Sequence, residues 1–233
     1  MTLRVALCAL PLLAGCLRGG PRPCSDAEGD ILVLGDSILR FYSEDCASVP
    51  DRMASRLGRG VRNEAVKGAK VDASRGYWAG GLTDQYVLGS WDWVVLEGGV
   101  NDLRGSCGTA DAAGLLDAIV SEDGASGAMP ALVDRARADG ARVVLLGYYG
   151  LFDDAYFGFG DCNPELSELR RRYTAVAEAR DGVVFVDPGT RIGPSSTPDA
   201  YRGDGIHPSE QGSRVLAELV VAAIETAEAA DTP

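Results

Sequence analysis

Five short apolar runs, separated by stretches of helical length, constrain this chain more than any other feature. Ile31-Leu32-Val33-Leu34 ends in Gly35 and reads as a strand buried on both faces. Residues 61–66 give a second strand, Trp93-Val94-Val95-Leu96 a third ending in Gly98-Gly99, residues 142–146 a fourth and residues 183–186 a fifth. Helical patterns fill the gaps. One is broken at Pro50 and resumes over 51–57, and another covers 131–138 and ends at Gly140. A third opens with Asn163 as N-cap, Pro164 and an acidic first turn and runs to about Ala179. A fourth covers 215–224 and closes the domain. Strands alternating with helices of this size predict βαβ units and a five-stranded parallel sheet, hence an α/β fold.

The length of 233 residues suits one domain, expected over 30–228 with a short tail at 229–233. A formal charge of −12 argues against a nucleic-acid partner, which calls for a basic stripe. Ahead of the domain, Arg4 followed by an apolar run over 5–13 reads as an export signal, too short to span a bilayer. It ends in Leu13-Ala14-Gly15-Cys16, which resembles the bacterial lipobox, where cleavage precedes a cysteine that then carries lipid. The alternative is an ordinary cleavable leader. The expectation is a signal peptide over 1–15, a lipidated Cys16 and a Gly/Pro-rich tether over 16–29, on an exported, membrane-anchored lipoprotein.

Four further cysteines remain, Cys24, Cys46, Cys107 and Cys162, and an even number in an exported chain predicts two disulfides among three pairings. The strand order favours Cys24–Cys46 and Cys107–Cys162, the second bracing the loops that carry the chemistry. With one histidine and no Cys-x-x-Cys pair, a zinc site is not expected.

Parallel α/β sheets carry their sites outside the carboxyl ends of the strands. The loop after the first strand holds Gly35-Asp36-Ser37, which places a hydroxyl at the sheet edge and, read alone, equally describes a serine helix cap. After the fifth strand comes Asp204-Gly205-Ile206-His207-Pro208. Asp204 stands three residues from the chain's one imidazole and can fix its tautomer. Pro208 suits the first position of the closing helix. Gly68 after the second strand offers a backbone N–H, and Asn101, in Gly99-Val100-Asn101-Asp102, a side-chain amide. With the Ser37 N–H they make three candidate donors for an oxyanion.

Taken together, Gly35-Asp36-Ser37, Gly68, Gly99-x-Asn101-Asp102 and Asp204-x-x-His207 resemble the four blocks of the SGNH (GDSL-type) hydrolase family, in family order over about 30–228. Ile38 stands where the family name has leucine. The resemblance implies a flavodoxin-like three-layer α/β/α sandwich and an esterase with Ser37 as nucleophile, His207 as base and Asp204 as its orienting carboxylate. Ser37, Gly68 and Asn101 would form the oxyanion hole, with no metal or organic cofactor. The expected substrate is a small-molecule or glycan ester bearing a short acyl group, the expected state a monomer. Aromatic stretches at Tyr77-Trp78 and at Tyr148, Tyr149, Phe152, Tyr156 and Phe157 are candidates for the pocket wall. A lipase or lysophospholipase of the same fold, a glycan-binding lipoprotein without turnover, and carboxylate-based metal or phosphoryl chemistry remain as other classes.

Overall fold

The computed structural model describes residues 29–71 and 79–231. The leader, Cys16, most of the tether, Cys24 and the Tyr77-Trp78 pair lie outside them, and so does the expected Cys24–Cys46 bond.

The apolar runs form one five-stranded sheet: β1 (Ile31–Leu34), β2 (Val61–Asn63), β3 (Trp93–Glu97), β4 (Arg142–Leu146) and β5 (Val183–Val186). Every pairing is parallel, in the order β2-β1-β3-β4-β5. All residues of β1 and β3 are buried, which is why their sequences run apolar without alternation. The strand β2 stops at Asn63, three residues short of the expected run. There the Asn63 side chain accepts the Ala65 N–H at 3.0 Å and turns the chain.

Eight α-helices are described: α1 (Ser37–Arg40), α2 (Val49–Leu57), α3 (Leu82–Gln85), α4 (Val100–Leu103), α5 (Asp111–Ile119), α6 (Ala128–Ala138), α7 (Asn163–Glu178) and α8 (Glu210–Ala230). The long helices α2 and α8 pack together on one side of the sheet, and α5 joins α6 and α7 on the other. This is the three-layer arrangement that the alternating pattern requires.

Several helix ends differ from the sequence reading. Pro50 does not break a helix. It sits in the first turn of α2, behind a capping box in which Ser48 and Asp51 satisfy each other's amides. Asn163 is not the cap of α7, because its carboxamide instead bonds both the N–H and the C=O of Leu151, at 2.8 and 2.9 Å. Pro208 lies ahead of α8 rather than in it, since Ser209 caps that helix through the Gly212 N–H. The helix then runs to Ala230, past the domain end expected at 228. Among the described residues no helix is long and apolar enough to cross a membrane.

Candidate active site

Strand order reverses between β1 and β3, which places a crevice at their carboxyl ends. Ser37 follows β1 and Asn101 follows β3, so the two candidate residues stand on either lip of that crevice. Ser37 is the first residue of α1, and the cap is Asp36, whose Oδ1 accepts the Ile38 N–H at 2.9 Å. The cap role that Gly35-Asp36-Ser37 suggested for serine therefore falls to its neighbour, which leaves the Ser37 hydroxyl uncommitted to the backbone.

Gly35 has to be glycine for want of room. A Cβ there would lie 2.8 Å from Leu39 Cδ1 and 2.9 Å from a carboxylate oxygen of Glu97. Gly68 has a φ of +80°, the left-handed region that a side chain disfavours.

His207 arrives from the loop before α8. Its Nε2 lies 2.9 Å from Ser37 Oγ and its Nδ1 lies 2.8 Å from Asp204 Oδ2. The other Asp204 oxygen accepts the backbone N–H groups of Ile206 and His207 at 3.0 and 2.9 Å. With a carboxylate facing Nδ1, that nitrogen carries the proton and Nε2 is left as an acceptor for the serine O–H. Burial pushes the Asp204 carboxyl up, but the hydrogen bonds from the His207 ring and from the two amides outweigh it and hold Asp204 below the usual carboxylate range. The Phe41 ring covers the imidazole at a centroid distance of 4.3 Å.

Ser37, Gly68, Asn101 and His207 line one cleft of about 240 Å3. Among the described residues the N–H groups of Ser37 and Gly68 have no hydrogen-bond partner. Asn101 differs. Its Nδ2 donates to Asp36 Oδ2 at 2.9 Å and to the Ala69 carbonyl at 3.0 Å, so both amide hydrogens are engaged. Donation to a third acceptor requires one of them to be shared or turned.

Under this floor lies a polar network that sequence reasoning missed. Asp36 and Glu97 are fully buried, and the Asp36 N–H donates to Glu97 Oε2 at 3.1 Å. The Tyr148 hydroxyl donates to Asp36 Oδ2 at 2.8 Å and accepts the Val100 N–H at 3.2 Å. Burial, and then the charge of Asp36, push the Glu97 carboxyl well above its ordinary range. Burial also raises Asp36, against the donors Ile38 and Tyr148. A dry site disfavours two charges side by side, and both carboxyls are pushed up for that reason. The readable sign was an acidic residue ending an otherwise apolar β3.

The aromatic candidates divide. Tyr148 and Tyr149 are buried, the latter donating to the Ile206 carbonyl at 2.8 Å, so they support the site from behind. Phe157 lines the cleft, joined by Phe41 and Phe159, which the sequence did not single out, and by Lys67 and Arg104. Phe152 and Tyr156 line a neighbouring cleft of about 360 Å3 on the Asp204 side. A disulfide joins Cys107 to Cys162, with Cα atoms 4.9 Å apart.

A model of the GDSL-like lipase/acylhydrolase family matches residues 33–215. No curated protein sequence matches the chain. Solved structures do resemble it. A GDSL-like lipase from Bacteroides thetaiotaomicron is 18% identical, with a TM-score of 0.60 over 84% of this chain and 88% of that one. A family two carbohydrate esterase from Clostridium thermocellum, solved in complex with cellohexaose, is 19% identical, with a TM-score of 0.57 over 85% of this chain and 64% of that one. An acetyl xylan esterase is 16% identical, with a TM-score of 0.59 over 83% and 98%.

Proposed function

Because the chain belongs to the GDSL-like lipase/acylhydrolase family, and is thereby an ester-hydrolysing enzyme, we propose that it is an exported serine esterase working through an acyl-Ser37 intermediate. One observation carries this reading: Ser37 Oγ, His207 and Asp204 stand in line at 2.9 and 2.8 Å, beside two unpartnered amides in the same cleft.

In this mechanism Ser37 Oγ attacks the ester carbonyl while its proton passes to His207 Nε2. Asp204 keeps the ring oriented and stabilises the imidazolium, remaining ionised because its donors already hold its carboxyl low. The carbonyl oxygen becomes an oxyanion within reach of the Ser37 and Gly68 amides, and the Asn101 amide joins them by releasing Ala69. Hydrogen bonds aimed at where charge develops lower the barrier without reorganising water. The tetrahedral intermediate expels the alcohol, which takes the proton from Nε2. Water then repeats the sequence on the acyl-enzyme with His207 as base, and the acid leaves.

The small cleft favours a short acyl group, since drug-sized pockets run from about 300 Å3 upward. A polar, carbohydrate-like alcohol fits the open rim, and relatives of the same fold include a carbohydrate esterase and an acetyl xylan esterase. The lipobox-like Leu13-Ala14-Gly15-Cys16 supports export with a lipid anchor at Cys16.

Labelling of the folded protein with a fluorophosphonate, followed by peptide mass spectrometry, tests the chemistry. The adduct is expected on Ser37 and is expected to vanish in Ser37→Ala and fade in His207→Ala. An adduct on another serine, or none, overturns the reading. Nitrophenyl esters of increasing chain length should lose kcat/KM beyond short acyl groups, and a rise toward long chains would transfer the enzyme to the lipases.

A further inference from the structure

The chain carries 34 acidic against 22 basic residues. Many of its arginines are ion-paired. Arg59 contacts Asp30, Asp92 and Glu228, and Arg172 contacts Asp117, Glu122 and Glu168. Lys67 and Arg104, which both line the cleft that holds Ser37 and His207, stand outside these pairs. Neither has a carboxylate within ion-pair distance among the described residues.

Aromatic faces hold them instead. Lys67 Nζ lies 4.5 Å from the centroid of Phe41, the ring that covers His207. The Arg104 guanidinium lies 5.5 and 5.9 Å from the centroids of Phe157 and Phe159, and its Nε donates to the Phe157 carbonyl at 3.3 Å. An aromatic face fixes a cation in place without neutralising it. The acids nearest the reacting atoms are already committed, Asp204 to His207 and Asp36 to Asn101 and Tyr148. Arg202 also lies over Phe41, at 4.8 Å, but it is partly occupied by the Tyr42 hydroxyl and by Asp204 at 3.9 Å.

On the strength of the serine-esterase reading, we infer that Lys67 and Arg104 form an anion subsite, and that the preferred substrate is an ester bearing a fixed negative charge beside the scissile bond. The net charge of −12 disfavours such a molecule overall. Two positioned cations at the cleft offset that repulsion locally and draw the anion to the one place where it reacts. A carboxylate, sulfate or phosphate group meets this requirement, in either the alcohol or the acyl portion.

Matched ester pairs separate the possibilities. On the alcohol side, 4-acetoxybenzoate is compared with its methyl ester. On the acyl side, 4-nitrophenyl hydrogen adipate is compared with 4-nitrophenyl methyl adipate. Each kcat/KM is divided by the hydroxide-catalysed rate of that ester. The anionic member of at least one pair is expected to be favoured by about tenfold, the worth of roughly 1.4 kcal/mol, chiefly through KM. The preference should fall toward unity in the Lys67→Gln/Arg104→Gln double variant, and should shrink between about 0.02 and 0.5 M salt, where screening shortens from tens of ångströms to a few. Wild-type enzyme that favours the neutral member of both pairs, or a preference untouched by the double variant, overturns the subsite and leaves the esterase standing. Hydrolysis no faster than with Ser37→Ala removes the esterase reading, and this inference with it.

Discussion

Asp204 holds His207 at two points: Oδ2 faces the ring Nδ1 at 2.8 Å, and Oδ1 accepts the His207 backbone N–H at 2.9 Å. One carboxylate thus sets both the path of the loop and the tautomer of the imidazole. Asp204→Asn keeps the shape but offers an amide where a carboxylate is needed, which lets the ring take the wrong tautomer. We expect kcat to fall by about 10³–10⁴-fold with KM little changed, measured in steady state on a nitrophenyl ester. The sign of the acid response also follows. Asp204 is depressed in the fold, so its stabilising contribution is present above the unfolded carboxyl value near ~3.9 and is lost as pH falls through the lower folded one. The stability gap between wild type and Asp204→Asn should therefore narrow as denaturant melts are taken to lower pH.

Asn101 has two occupations, and its removal should register in both. The amide is the third candidate oxyanion donor, and it also caps the buried Asp36. Asn101→Ala is expected to lower kcat by about 10²–10³-fold. It should also cost about 1–3 kcal/mol in urea melts, because a buried carboxylate loses a donor. A variant that loses the stability and keeps its kcat would leave the oxyanion to the Ser37 and Gly68 amides alone.

The five strands, and the four loops that carry the candidate site, were legible because burial on both faces writes itself as continuous apolar sequence and because loop glycines mark tight turns. What stayed hidden depends on side chains meeting across the fold. Ser48-Val49-Pro50-Asp51 is the exception: Ser three residues ahead of Asp, with proline in the first turn, is a local capping-box signal that reading Pro50 as a break overlooks. Asn163 has the composition of a cap but is taken by Leu151, twelve residues away. Tyr148 reads as a pocket aromatic, and only the pairing of β1, β3 and β4 in one sheet brings it to Asp36. Lys67 and Arg104 sit in different blocks and share a cleft only after the sheet is assembled.

The Cys107–Cys162 bond spans 55 residues of sequence and ties the segment after Arg104 to the one after Phe157 and Phe159. Cross-linking removes loop entropy from the unfolded chain, by about 4 kcal/mol for a loop of this size when the fold is unstrained. Cys107→Ser/Cys162→Ser is expected to lose roughly 2–4 kcal/mol. Amide exchange over residues 153–162 should quicken with it, read by mass spectrometry. Unaltered exchange there would mean that packing, not the crosslink, holds this wall of the cleft.

The buried pair Asp36 and Glu97 makes the last prediction, and it runs opposite in sign to that for Asp204. Glu97 Oε1 has no hydrogen-bond partner among the described residues, so an ionised oxygen there would be bare in a dry site. Burial and the neighbouring Asp36 hold its carboxyl well above 4.5, so Glu97 keeps its proton in the fold while the unfolded chain releases it. A raised carboxyl favours the folded state fully below the unfolded value, and that contribution is lost as pH rises toward the folded value. Glu97→Gln is permanently neutral, similar in shape, and able to donate where the protonated acid would. Its stability relative to wild type should therefore climb as pH goes from about 4.5 to 8, at about 1.4 kcal/mol for each unit of raised pKa traversed. Paired urea melts at the two pH values measure this directly. A difference that stays flat would mean that Glu97 is ionised in the fold and that the floor of the site carries two charges.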